Sequence, residues 1–205
     1  SLTQPAGCSY LDNPGNKKSD AATAMIAVPD HLFVGLKSGI LWTCSPTSTD
    51  SCTTLDNSGS NYATSFAYGD GYLWVGLSNG LLWRCDPDTK SACTNWATIA
   101  SYPEFIGSLS LDGSGNIYVS TSTGKIQECS TSTQYGSNGA NSCPVVVSAT
   151  SGLDGPGSGL NVTQVIAAGE GGVFSSWNCS GSSGGVYFGT SIISPNSVCS
   201  GDRKS

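Results

Sequence analysis

Charge is scarce in this sequence of 205 residues. Eight residues are Lys or Arg against fourteen Asp or Glu, which leaves a formal net charge of −6. A surface that tracks phosphates needs clustered cations, so nucleic acid is not an expected partner. There is one histidine, His31, beside Asp30 in "VPDHLF". A Ser-His-Asp site has no other base to use, and neighbouring residues of a turn point apart, so His31 reads as a turn residue. No apolar run approaches the roughly 18–20 residues of a membrane-spanning helix, and the chain is not expected to be membrane-embedded. No two cysteines stand at the Cys-x2–4-Cys spacing of structural zinc, and no cofactor is expected. The three glutamates, Glu104, Glu128 and Glu170, fall in unrelated positions, unlike the paired carboxylates that flank a glycosidase cleft.

What is present is glycine, at 27 residues, and cysteine, at nine. Low charge combined with 38% hydrophobic residues is not the composition of a disordered chain. Abundant glycine favours short strands and tight turns over long helices. Nine cysteines without zinc spacing point to disulfides and an oxidising compartment, hence a secreted or cell-surface protein. The first residues, "SLTQPAGC", read as the end left by removal of a signal segment. Two sequons, Asn161-Val-Thr163 and Asn178-Cys-Ser180, agree with that location as glycosylation candidates.

One stretch returns along the chain. Residues 31–44 read "HLFVGLKSGILWTC", residues 72–85 "YLWVGLSNGLLWRC" and residues 116–129 "NIYVSTSTGKIQEC". Gly39, Gly80 and Gly124 mark equivalent hairpin turns at offsets of 41 and 44 residues. A β-prone segment precedes each copy, and a second cysteine followed by another β-prone segment comes after it. The unit is therefore four strands, A to D. Antiparallel four-stranded units repeating every 40–45 residues predict a β-propeller. We place blade 1 at 20–57, blade 2 at 61–99, blade 3 at 104–149 and blade 4 at 160–199, within a single domain over 1–205. "SLDGSGNIYVSTSTGKI" resembles the A-turn-B-C segment of many propeller repeats, and the blade pattern is similar to that of tachylectin-like lectins.

The cysteines follow the repeat. One in strand C and one opening strand D face each other across a hairpin, which predicts Cys44–Cys52, Cys85–Cys93 and Cys129–Cys143. "CSYLDN" from Cys8 parallels "CTTLDN" from Cys52, so the chain begins with an orphan strand D. "GVYFGTSIISPNSVC" resembles a B–C hairpin that lacks its D. We therefore expect a four-bladed propeller whose last blade is completed by residues 8–13 and stapled by Cys8–Cys199. Hemopexin-like domains resemble this in blade number and end-to-end disulfide. Cys179, in an expected insertion between strands A and B of blade 4, is the odd cysteine, free or bonded to another chain. The alternative pairing is Cys179–Cys199, with Cys8 odd.

For function, Phe33, Trp74 and Tyr118 share one place in strand B, and Trp42 and Trp83 share one in strand C. They suit a sugar-stacking platform per blade, but large aromatics of central strands pack between blades more readily. The binding candidates are the B–C turn tips, Lys37 and Ser38, Ser78 and Asn79, Ser122 and Thr123, around one mouth of the channel. The expected function is passive recognition of a glycan or glycoprotein, or assembly with copies of itself or another extracellular chain, without enzymatic chemistry. One alternative is a propeller hydrolase or lyase using Asp70, Asp112 and Glu170. Another is a purely structural repeat unit. Asp86-Pro-Asp88 and Asp112-Gly-Ser-Gly-Asn116 resemble cation loops but have too few ligands for calcium and read as turns.

Overall fold

The computed structural model describes residues 20–48, 51–89, 93–101, 103–135 and 143–147, and the strand backbones 161–168, 172–178 and 185–189. The first sheet runs β1 (Ala22–Ala27), β2 (Leu32–Leu36), β3 (Ile40–Cys44), β4 (Thr53–Asn57). The second runs β5 (Ala63–Gly69), β6 (Tyr72–Leu77), β7 (Leu81–Cys85), β8 (Cys93–Thr98). The third is β9 (Ile106–Leu111), β10 (Asn116–Thr121), β11 (Ile126–Ser130), β12 (Val145–Val147). In each, strands pair antiparallel in chain order, as the repeat predicts. Cys44–Cys52, Cys85–Cys93 and Cys129–Cys143 are bonded at the C–D hairpins.

The hairpin glycines do the work expected of them, with one residue more in the turn. Gly39, Gly80 and Gly124 have φ of 88°, 82° and 84°. Each donates its N–H to the carbonyl three residues back, at Leu36, Leu77 and Thr121. A positive-φ residue closing such a turn lets the strands leave with their native twist, and glycine takes that conformation without a Cβ penalty.

The core lies between the sheets. Phe33, Leu41 and Leu55 of the first blade meet Leu73, Val75 and Cys85 of the second. Trp74, Leu82 and Trp96, on the second blade's other face, meet Ile117, Val119 and the Cys129–Cys143 pair of the third. One cross-sheet row recurs at these interfaces. It is Phe66–Val75–Trp83 in blade 2 and Leu109–Val119–Gln127 in blade 3. Each of these rows faces the preceding blade, and Gln127 Nε2 reaches it with a 2.9 Å bond to the Ile99 carbonyl. Blade 1 carries the same row as Met25–Val34–Trp42. There Met25 is 67% exposed, and Val34 and Trp42 are only half-buried. Phe33, Trp74 and Tyr118 are buried packing residues. Trp83 and its counterpart Trp42 are both half-buried, Trp83 against the core between blades 1 and 2.

The innermost strands share a bulge that the repeat did not announce. The register skips Thr23, Thr64 and Gly107 in β1, β5 and β9. A bulge bends the strand and increases its twist, which suits a strand lining a tight axis. Thr23 and Thr64 donate their hydroxyls back to the carbonyls of Gly35 (3.1 Å) and Gly76 (3.0 Å). At those two glycines the next blade leaves no room for a side chain. A Cβ on Gly35 would lie 2.6 Å from the Ala63 Cβ, and one on Gly76 2.5 Å from the Ile106 Cγ2.

The fourth sheet corrects one expectation. It contains β13 (Asn161–Ala168), β14 (Gly172–Asn178) and β15 (Gly185–Gly189), in that order. Thr163 is its skipped residue, which aligns β13 with the other inner strands. "GVFSSWN" is therefore strand B rather than part of an insertion, and "GVYFG" is strand C rather than B. Gly189, opposite Val173, takes the register position that Cys44, Cys85 and Cys129 occupy opposite Leu32, Leu73 and Ile117. Cys199 is consequently not the strand-C cysteine of this sheet. Cys8, Cys179, Cys199 and the strand at 8–13 lie outside the described residues. Inner strands follow one another around the axis, β1 beside β5, β5 beside β9, and β9 beside β13. The series stops there: among the described residues β13 does not pack along β1, so the expected closed disc is not seen.

Candidate functional site

Inner strands β1, β5 and β9 border a cavity of about 300 Å³ lined both by small and hydroxyl residues, Thr64, Ser65 and Ser108 among them, and by the larger apolar Met25, Phe66 and Leu109. At one end of the cavity the B–C turns meet the connections that enter strand A. The B–C turns carry Lys37 and Ser38, Ser78 and Asn79, and Ser122 and Thr123. Their main chain is committed to the fold. Lys37, Ser78 and Ser122 each donate an N–H to the connection, at the carbonyls of Ala21, Tyr62 and Phe105, all at 2.9 Å. Ser78 and Ser122 use their hydroxyls too, accepting the Tyr62 and Phe105 N–H groups at 3.1 and 3.2 Å. Ser38 N–H is held by the Asp20 carboxylate at 3.0 Å, and Asn79 accepts the Leu81 N–H at 3.3 Å. The rim is thus a rigid platform fixed blade by blade, and it leaves the side chains of Lys37, Ser38 and Thr123 exposed.

Two aromatic residues on this rim are missing from the expected set. Tyr62 and Phe105 stand two positions before the inner-strand bulge, where blade 1 has Ala21 and the fourth sheet has Asn161. Phe105 is 43% exposed, one of three large hydrophobic side chains that exposed among the described residues. Beside it, Glu104 bonds Lys125 Nζ at 3.1 Å and accepts from the Thr123 hydroxyl. The available signal was the shared offset before strand A, in the connection rather than in the repeated hairpin. Asn161 and Asn178, the two sequon asparagines, are direct cross-strand partners in the fourth sheet. Their register puts both at this same end.

The Glu104 carboxyl is subject to opposing effects. Burial pushes its pKa up, but hydrogen bonds from Thr121, Thr123 and Lys125, with the Lys125 charge, outweigh burial and hold it below its ordinary value. A depressed folded-state pKa stabilises the fold above the unfolded carboxylate range and ceases to do so as pH falls through the folded value. Acid therefore weakens the rim. Thermal unfolding followed from neutral pH into the acid range should show a steeper loss of stability for wild type than for Glu104→Gln.

Asp70 and Asp112 lie in A–B turns, at the opposite end of the cavity from Glu104. Asp112 is buried and spent inside its own turn, accepting from Ser114 N, Asn116 N and Asn116 Nδ2 at 2.9, 2.9 and 2.8 Å. Its burial raises the pKa, and those bonds bring the net shift below the usual value. Glu170 lies outside the described residues. Asp86 accepts from Asp88 N and Thr89 Oγ1, as a turn residue does. His31 stacks on Phe33, bonds Thr43 Oγ1 at 3.2 Å and sits 3.7 Å from Asp88 of the next blade. It links two blades. No group of three or more His, Cys, Asp or Glu side chains that could hold a metal ion occurs among the described residues.

No family model matches the chain, and no curated protein matches it significantly. Solved structures do. The computationally designed Ika4 protein superposes with a TM-score of 0.58 at 14% identity, over 88% of this chain and 98% of its own. The WD40 repeats of RRP9 give 0.56 at 12% identity, over 83% of this chain and 52% of theirs. The extracellular domain of BT4673 from B. thetaiotaomicron gives 0.55 at 16% identity, over 82% of this chain and 21% of its own. This chain thus spans about half of the RRP9 repeats and a fifth of the BT4673 domain. At such identities the likeness is one of fold: a β-propeller arrangement of four-stranded antiparallel sheets.

Proposed function

We propose that the chain is a four-bladed propeller unit that works outside the cell as a recognition module, binding glycans or glycoproteins at the B–C rim without covalent chemistry. Three stapled hairpins favour an oxidising compartment, and no helix among the described residues is long and apolar enough to cross a membrane. Phe105 carries the reading. A half-exposed aromatic face on a rigid rim, beside a carboxylate–ammonium pair and the Ser122 and Thr123 hydroxyls, has the composition that sugars select. Their C–H faces stack on the ring, and their hydroxyls bond to the polar groups around it. Lys37, Ser38, Ser78, Asn79, Ser122 and Thr123 supply the surrounding polar contacts.

The test is a glycan array on the oxidised protein, followed by calorimetry on the best sugar. Phe105→Ala should weaken that binding by about tenfold or more, while leaving the melting temperature near wild type, because the ring is exposed. Failure of the wild-type protein to bind any sugar, or full binding by Phe105→Ala, would overturn the reading.

A further inference from the structure

Blade 2 holds a cation where blades 1 and 3 have none. Arg84 in β7 takes the repeat position of Thr43 in blade 1 and of Glu128 in blade 3. Its guanidinium lies over two aromatic rings, with Cζ 4.4 Å from the Tyr72 centroid and 4.1 Å from that of Trp96. Both rings are fixed by other contacts. Trp96 is buried, donates its Nε1–H to the Ser130 carbonyl of blade 3 at 3.1 Å and meets Trp74 edge-on. Tyr72 leans on the same Trp74 at 67°. Trp96 is also the residue that the β7–β8 register skips, and such a bulge re-aims a side chain. We propose that Arg84 is a binding site for a small ligand bearing a single carboxylate, held by the in-plane N–H groups of the guanidinium.

The repeat itself argues against a purely structural role, because the other blades pack without this group. In blade 1 the three positions hold His31, Thr43 and Leu55, and His31 bonds Thr43 Oγ1 within the blade at 3.2 Å. In blade 3 they hold Asn116, Glu128 and Val146. The guanidinium also has no hydrogen bond or ion pair among the described residues, although carboxylates stand in the adjoining turns. Asp86 is used by Asp88 N and Thr89 Oγ1, Asp88 sits beside His31, and Asp112 is occupied by its own turn. Neither "KSA" at 90–92 nor "GSNGANS" at 136–142 adds an acidic residue. Ring contact engages the flat face of a guanidinium and leaves its N–H fork, whose spacing matches a carboxylate in the same plane. A fork already oriented by packing loses little freedom when the ligand arrives. The net charge of −6 repels a polyanion, which favours one carboxylate over a run of them. Tyr72 follows the A–B turn and Arg84 precedes the C–D turn, so this site is at the opposite end from the B–C rim and does not rest on the glycan reading.

Arg84 and Arg203 are the only two arginines of the sequence, so a nitrogen-15 spectrum of the side-chain Nε–H groups is simple to read. The signal lost in Arg84→Lys is that of Arg84, and the two rings should displace it from the position of a solvated arginine. The wild-type oxidised protein is then titrated with sodium acetate and with sodium D-glucuronate, against sodium chloride at equal ionic strength. Both carboxylates should move the Arg84 signal to saturation, and chloride should not. Arg84→Lys keeps the charge but not the fork. Its binding, followed on the tryptophan indole N–H signals, should be weaker by about tenfold or more. Its melting temperature should stay near wild type, since an ammonium retains the ring contact. An Arg84 signal that neither carboxylate moves overturns the proposal. So does movement that chloride reproduces, or binding that Arg84→Lys leaves undiminished. Saturation by glucuronate at lower concentration than acetate would support a sugar acid as the ligand, and equal saturation would support recognition of the carboxylate alone.

Discussion

Replacing Trp74 by alanine should lower unfolding stability by about 3–5 kcal/mol, among the largest costs a single side chain here can produce. Trp74 is fully buried in β6, and its ring meets that of Trp96 edge-on with centroids 5.3 Å apart. It packs with Leu82 and Trp96 of its own blade against Ile117 and Val119 of blade 3. Truncation leaves a cavity whose walls belong to two sheets, and neither can collapse inward alone. The indole N–H has no hydrogen-bond partner among the described residues, and a buried unpaired donor is itself a cost. Trp74→Phe should therefore be mild, about 1 kcal/mol or less, because the lost volume is partly offset by removal of that donor. Denaturant unfolding of the two variants separates ring volume from N–H. Equal and small losses would show that the interface repacks.

Gly80→Ala should cost about 2–4 kcal/mol, and the cost has two separable parts. Gly80 has φ of 82°, which is strained for any residue with a Cβ. Its carbonyl accepts the N–H groups of Ile99 and Ala100 at 2.9 and 3.2 Å, which draws the connection to blade 3 tightly over the turn. A Cβ at this position would lie 2.4 Å from the Ala100 carbonyl oxygen, and backbone cannot step aside as a side chain does. Gly71 supplies the control. It has φ of 78°, with nothing within 4 Å of an added Cβ. Gly71→Ala should thus show the conformational cost alone, about 1–2 kcal/mol. Chemical denaturation of the two variants measures the difference, and equal losses would mean that the connection yields.

The fold was legible in the sequence where hairpins carried the pattern, and not where pairing depended on neighbours. Strands A to D of three sheets and their staples were legible because turn glycines and cysteines recur at nearly constant offsets. The fourth sheet was misread by one strand. "GVYFG" matches the aliphatic-aromatic pattern of strand B, while Ser175 and Ser176 of the true strand B stand where Val75 and Gly76 do in blade 2. Local composition favoured one assignment, and cross-strand register decided for the other. Val34 and Val75 show a second limit. Identical residues at identical repeat positions differ in burial, Val75 fully enclosed in the core between blades 1 and 2 and Val34 only half-buried. At the rim, turn chemistry located the six tip residues. Their main-chain use by the neighbouring connection, and the aromatic at the start of strand A, depend on tertiary contacts that the hairpin pattern does not encode.

Because each of the first three sheets is drawn from a single uninterrupted stretch of chain, almost all strand pairing is between neighbours in sequence. Folding such a molecule closes only short loops, so little chain entropy is lost before the first contacts form. Assembly can begin at any hairpin and spread outward in both directions, with no obligatory nucleus. A blade could then be added or removed by duplication or deletion of one repeat, and the arc would lengthen or shorten without a new topology.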